Sequence, residues 1–167
     1  IVSLVPLLLH LNHPALPGYV EDAPAGIADF TLSNYQQNFL SKEHPELVEA
    51  VQSAVNSDAV FAPILGIYVM GSFGSISQTS ASDLDIWICH QDDLSEQEQQ
   101  RLAEKTKKIS QWASTFHVEM HFYLMTQQRF RNERYSDPLT KENSGSAQYM
   151  LLLEEFYRSA VRLAGKP

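Results

Sequence analysis

Cysteine is nearly missing from this sequence: Cys89 is the single one in 167 residues. One thiol permits neither an internal disulfide nor a cysteine-built zinc cluster, so the fold must stand on packing, and a reducing, cytoplasmic setting is expected. Positive charge is scarce as well. Twelve Lys+Arg against 20 Asp+Glu leave a net charge of -8, which argues against a domain that grips a nucleic-acid backbone, so no nucleic-acid partner is expected. No long hydrophobic run is present. The apolar opening, Ile1 to Leu11, is broken by Pro6 and has no basic segment before it; a membrane span needs roughly 20 residues. It reads as a buried helix or lead-in segment, and no membrane span is expected. Internal repeats and low-complexity tracts are also absent.

What is present is globular: 44% hydrophobic, 10% aromatic and 19% charged residues, a composition too apolar for disorder. The length suits one domain with a sizeable core. The charge is divided unevenly. Residues 1 to 98 carry 13 acidic side chains and one basic one, whereas 99 to 167 carry seven acidic and 11 basic. A start at Ile-Val and a stop at Lys166-Pro167, directly after a helical pattern, read as a piece of a longer chain.

Residues 12 to 34 hold Pro14, Pro17, Pro24, Gly18 and Gly26, the composition of a structured loop. Apolar positions from Tyr35 to Val55 allow helix on either side of Pro45, with that proline in a first turn and His44 near the cap. The run from Ile64 to Met70 reads as a buried strand ending in Gly71-Ser72. Asp83 to His90 alternates like a second strand. Ser95 and Glu98 form a capping box, after which Leu102, Ile109, Trp112, Ala113 and Phe116 share one face of an amphipathic helix. A third strand is predicted from His117 to Met125. A last helix is predicted from about Ser146 to Ala164, closed by Gly165. The pattern is mixed α/β, or α+β: a small mixed sheet flanked by helices. Residues 1–62 read as a helical and loop lead-in packed on a core spanning 63–167.

The residues with chemical potential sit at strand ends. Asp83 and Asp85 stand at i and i+2 of one strand, on one face and about 6–7 Å apart, which suits them to share a pair of divalent ions. Two such ions roughly 3.5–4 Å apart are a common device for displacement at phosphorus. Leu84, Ile86 and Ile88 face the other way and can hold the strand in the core. Gly71 lets backbone approach a phosphate closely, and Ser72 with neighbouring N–H groups can donate to its oxygens, a nest that Gly74-Ser75 can extend. Glu119, flanked by Val118, Met120 and Phe122, is a candidate third carboxylate, since burying an isolated charge there is costly unless it is paired or metal-bound. His121 would share its face.

Gly-Ser, ten residues, Asp-x-Asp on a strand and a later acidic residue resemble the nucleotidyltransferase superfamily that includes DNA polymerase beta. The longer string from Met70 to Gln91, together with Leu151 to Lys166 and His13 to Tyr19, resembles the N-terminal catalytic region of bacterial class I adenylate cyclases. That resemblance implies conversion of ATP to 3',5'-cyclic AMP and pyrophosphate in the cytoplasm, with two Mg²⁺ ions for which Mn²⁺ can substitute. It also implies a longer chain with a regulatory C-terminal region. Asp83, Asp85 and Glu119 would be the catalytic and metal-binding residues. Gly71, Ser72, Ser75, Arg158, Arg162 and Lys166 would bind the substrate phosphates, the last three lying at helical spacing; Lys141, Arg129, Arg131 and Arg134 are further cations.

Other readings of the same residues stand beside these. The chain could transfer a nucleotide to a separate acceptor, or bind nucleotide without turnover because it is truncated. An EF-hand loop is excluded by the missing glycine and glutamate, and Gly71 to Gly74 matches neither a Walker A loop nor a Rossmann fingerprint. His90, His117 and His121 read as packing or surface histidines, and Trp87 and Tyr68 as core. Lys105, Lys107 and Lys108 read as a solvated helix face. Arg158 and Arg162 are divided between phosphate contacts and ion pairs with Glu154 or Glu155.

Overall fold

The computed structural model describes residues 1–49, 51–52, 62–70, 84–126, 128 and 156–166. A 3-10 turn, Val2–Leu4, leads into α1, Val5–His10, with Pro6 in its first turn, where a missing N–H costs nothing. Leu7, Leu8 and Leu9 of α1 are wholly buried; a helix apolar on every side belongs inside a core. The opening segment is thus the buried helix its composition predicts. The chain then loops to α2, Asn34–Glu43, which starts on a capping box: the Ser33 hydroxyl accepts from the Gln36 N–H, and the Gln36 side chain accepts from the Ser33 N–H. It stops before Pro45, which opens a 3-10 turn, Pro45–Leu47, capped at His44.

Four strands form one sheet: β1, Ile64–Met70; β2, Leu84–His90; β3, Met120–Thr126; and β4, Val161–Gly165. Their spatial order is β3-β2-β1-β4. β1 runs antiparallel to β2 and to β4, while β2 and β3 are parallel. A parallel pair needs a long crossover, supplied by α3, Glu96–Ser114, which begins on the capping box of Ser95 and Glu98. One face of the sheet, through Ile67, Val69, Ile86 and Ile88, joins α1, Leu40 of α2, and Leu102 and Ile109 of α3 in the main core. That core crosses positions 62 and 63. Among the described residues no helix is long and apolar enough to cross a membrane.

The structure corrects three expectations. β3 begins at Met120, not His117, because the chain leaving α3 makes further tight turns: the His117 N–H bonds the Ser114 carbonyl, and His117 takes a left-handed φ of 59°, incompatible with a strand. Val161 to Gly165, predicted as the end of a helix, is β4; only 156–159 are helical, and residues 146–155 lie outside the described residues. Pairing with the free edge of β1 satisfies this backbone, down to the Lys166 N–H on the Leu65 carbonyl at 2.8 Å, and such tertiary pairing overrides local helix preference.

The third correction concerns Lys105. Far from joining a solvated face with Lys107 and Lys108, it is 1% exposed. Its ammonium donates to the Leu11 carbonyl at 2.9 Å, the Asn12 Oδ1 at 3.1 Å and the Gly18 carbonyl at 3.4 Å, and burial pushes its pKa down to about 8. Gly18 lies so close to Ile109 that a Cβ would collide with it, at a φ of 85°. The loop between α1 and α2 is therefore bolted onto α3. Lys108 adds a bond to the Tyr19 carbonyl at 3.0 Å.

Candidate active site

β2 divides its side chains by parity. Leu84, Ile86 and Ile88 enter the main core, and Trp87 joins a second cluster with Met70, Met125 and Phe156 on the opposite face of the sheet. Asp85 shares the parity of Trp87 and is half-buried. In the register, Met70 of β1 pairs with Asp85, and Asp85 pairs with His121 of β3. The last residue of β1 and the first residues of β2 and β3 therefore meet at one end of the sheet. Gly71 follows Met70 and Asp83 precedes Leu84 in the chain; Gly71, Ser72, Ser75 and Asp83 lie outside the described residues.

On β3, Tyr123 stands opposite Trp87, its ring centroid 5.7 Å from the indole, and diagonal to Asp85. Partial burial, then the nearby Asp85 charge, raise the Tyr123 phenol's pKa above its ordinary value. Trp87, 2% exposed, also meets Phe156 at 5.4 Å, and Phe156 meets Tyr68 edge-on at 5.1 Å. Trp87 is thus core, as expected, but core on the face that bears Asp85. Cys89, on the same strand, has its thiol pushed up to about 11 by burial, which keeps it protonated and unreactive near neutrality.

Glu119 is placed differently from its expectation. It precedes β3, and its side chain is 71% exposed, 3.9 Å from the His121 imidazole; the cost of burial does not apply to it. Its carbonyl accepts from the Leu84 N–H at 3.0 Å, so its backbone adjoins the start of β2. Among the described residues no group of three His, Cys, Asp or Glu side chains is close enough to hold a metal ion. The donors available at this end of the sheet are carboxylate oxygens, hard ligands that fit Mg²⁺ or Mn²⁺ and do not suit a soft ion.

The basic residues are rearranged by the change from helix to strand. Arg158 is exposed on the short helical turn, and Arg162 is in β4 opposite Tyr68, so the two no longer share a helix face. Arg162 donates to the Gly165 carbonyl at 3.0 Å, and its charge partly offsets the rise that burial imposes on the Tyr68 phenol. It stands two strands from β2, about 10 Å across the sheet. Lys166 is exposed just past β4, its carbonyl accepting from the Tyr68 hydroxyl at 2.8 Å.

The profile of the family described as "Adenylate cyclase NT domain" matches residues 1–167. The chain belongs to this family. It is 64% identical to an adenylate cyclase of Haemophilus influenzae, 59% to that of Pasteurella multocida and 42% to that of Escherichia coli K12, alignments that take in 99–100% of this chain. It spans about one fifth of the length of these curated relatives. Among solved structures it is similar to spectinomycin adenyltransferase AAD(9) from Enterococcus faecialis, crystallised with ATP and spectinomycin: TM-score 0.42, 17% identity, covering 81% of this chain and 57% of that one. A toxin-antitoxin with AMP-PNP gives a TM-score of 0.35 at 16% identity, covering 73% of each chain. Within this adenylate cyclase N-terminal domain, Tyr123 is the residue at the carboxylate face that motif reading passes over. Its signal is strand parity: it lies two positions after His121, on the face that Asp85 shares.

Proposed function

We propose that this domain is the catalytic domain of a bacterial class I adenylate cyclase, built on the nucleotidyltransferase fold, and that it converts ATP to 3',5'-cyclic AMP and pyrophosphate. The observation that carries the reading is the family match over the whole of residues 1–167. The grouping of Asp85, the end of β1 and the approach to β3 at one end of the sheet supports this reading.

In this reading Asp83, Asp85 and Glu119 hold two Mg²⁺ ions, with Mn²⁺ as a substitute, and the bound ions supply charge neutralisation and polarisation of the phosphoryl oxygens. Gly71, Ser72 and Ser75 cradle the triphosphate through N–H and hydroxyl donors. Arg158, Arg162 and Lys166 offset the negative charge that grows on the pyrophosphate. The ribose 3'-oxygen forms a bond to the α-phosphorus as the bond from that phosphorus to the pyrophosphate oxygen breaks. Glu119, exposed and close to the start of β2, would either ligate a metal ion or take the 3'-hydroxyl proton. Asp83, Asp85 and the basic residues thus do little but position and neutralise, which is where most of the rate of such a displacement comes from. Residues 1–62 form a lead-in on a catalytic core of 63–167. The full-length protein acts on ATP in the cytoplasm under a regulatory C-terminal region and has no nucleic-acid partner.

The test is chromatography of the products from ATP and Mg²⁺ with the full-length protein and its Asp83→Asn and Asp85→Asn variants. Cyclic AMP from the wild type, reduced at least about a hundredfold in both variants, is expected. A nucleotide found on another acceptor, or metal-dependent binding of ATP without any product, would replace this reading.

A further inference from the structure

Of the exposed large hydrophobic side chains among the described residues, Tyr123 is the one carried by β3, the strand beside Asp85. It stays 42% exposed although its ring meets the indole of Trp87 at 5.7 Å. Trp87 is buried and packs on Phe156, which meets Tyr68, so four rings form a file across the sheet on the face that Asp85 shares. The outermost ring is thus held by a buried neighbour while part of its surface stays open. A groove of about 280 Å³ adjoins it at the outer edge of the sheet, lined by Met120, His121, Phe122 and Tyr123 of β3 and by Lys107 and Ser110 of α3. Because Leu84 pairs with Met120 and Asp85 with His121, the groove starts level with the carboxylate end of β2 and reaches Tyr123 two residues, or about 6–7 Å, further along β3. It is smaller than the roughly 300–1,000 Å³ of a site that encloses a whole drug-sized ligand, which leaves room for one flat ring system but not for a triphosphate as well.

We infer that Tyr123 is the platform on which the nucleobase of the substrate stacks, with the triphosphate directed to the Asp85 end of the sheet. The inference rests on the reading of this domain as an ATP cyclase whose metal ions are held at that end. A nucleoside triphosphate has a flat aromatic end and a polyanionic end joined through one sugar, and the sheet offers an open ring and a carboxylate end in matching order along β2 and β3. Tyrosine suits the first part, since it presents a large rigid area and has few torsions to immobilise, and here the Trp87 contact already restrains it. Every base has a π-face, so the platform supplies affinity and places the ribose relative to the metal ions without discriminating among bases.

Calorimetry of the full-length protein with Mg²⁺ and two ligands reads this role without turnover: 3'-deoxy-ATP, which lacks the attacking hydroxyl, and tripolyphosphate, which lacks the nucleoside. Tyr123→Leu should weaken 3'-deoxy-ATP by about five- to a hundredfold, the range found when a stacked aromatic is removed, and leave tripolyphosphate binding unchanged. Tyr123→Phe, which keeps the ring, should bind both ligands as the wild type does. Wild-type affinity for 3'-deoxy-ATP in Tyr123→Leu overturns the platform, and so does an equal loss of both ligands, which would place the residue at the phosphate end. A second measurement needs no variant: the adenine H2 and H8 resonances of 3'-deoxy-ATP bound to the wild type should move upfield, as protons above a ring do, and unmoved resonances overturn the platform even if Tyr123→Leu fails to fold. Asp85→Asn should weaken both ligands; unchanged binding there overturns the reading of the carboxylate end, and the proposed orientation of the nucleotide with it.

Discussion

The two faces of β2 are made by alternate residues of the same seven-residue strand, and they differ in kind. Toward α1 and α3 it presents Leu84, Ile86 and Ile88, all in one continuous apolar core. Toward the other side it presents Asp85, Trp87 and Cys89, where a carboxylate stands beside an aromatic cluster and the ends of three strands converge. The difference teaches how a short strand can carry chemistry: one face supplies the packing free energy that lets the other leave a charged group half-solvated. A substitution on the first face should act on stability, and one on the second on activity.

Ile86→Ala breaks the comparison from the core side and should have the largest effect on stability. The side chain is wholly buried, so truncation should cost about 2–5 kcal/mol, read as a lower urea midpoint, with turnover retained wherever the domain remains folded. Lys105→Met should cost less, about 1–3 kcal/mol, because the acceptors on Leu11, Asn12 and Gly18 lose their donor while the methylene packing survives. A variant as stable as the wild type would show that the bolt between the first loop and α3 contributes nothing.

The smallest effect is one of pH. His10 stacks on Phe30 at 4.1 Å and accepts the Ile27 N–H at 3.1 Å, and burial lowers its pKa from 6.5 to about 4. Between these values the unfolded chain takes up a proton that the folded chain does not. The stability this neutral imidazole contributes is therefore complete above pH 6.5 and is lost progressively as the pH falls toward 4. Urea midpoints at pH 7.5 and 5 should diverge less in His10→Asn than in the wild type; equal divergence would remove His10 from the acid sensitivity.

The alternation of Leu84, Asp85, Ile86 and Ile88 makes both faces of β2 legible in the amino-acid sequence alone, and the capping box of Ser95 and Glu98 marks the start of α3. Those signals are local. The end of the chain is not legible in this way: Val161 to Gly165 carries a helical pattern, yet its conformation is decided by the open edge of β1, a partner far away in sequence. Lys105 escapes a local reading for the same reason, since the three oxygens that receive its ammonium come from a loop almost ninety residues or more earlier. Glu119 stands out in the sequence for a burial that it does not have in the fold. Tyr123 becomes visible only once β3 is known to lie parallel to β2 and in a given register.

The central claim is that the Asp85 face, and not the core face, carries the reaction. It is tested most directly by measuring cyclic AMP formed from ATP and Mg²⁺ by the full-length protein and its Asp85→Asn variant, each with its melting transition recorded. The account predicts an unchanged transition and a loss of at least about a hundredfold in product. Near-normal cyclic AMP formation by a folded Asp85→Asn protein would contradict it.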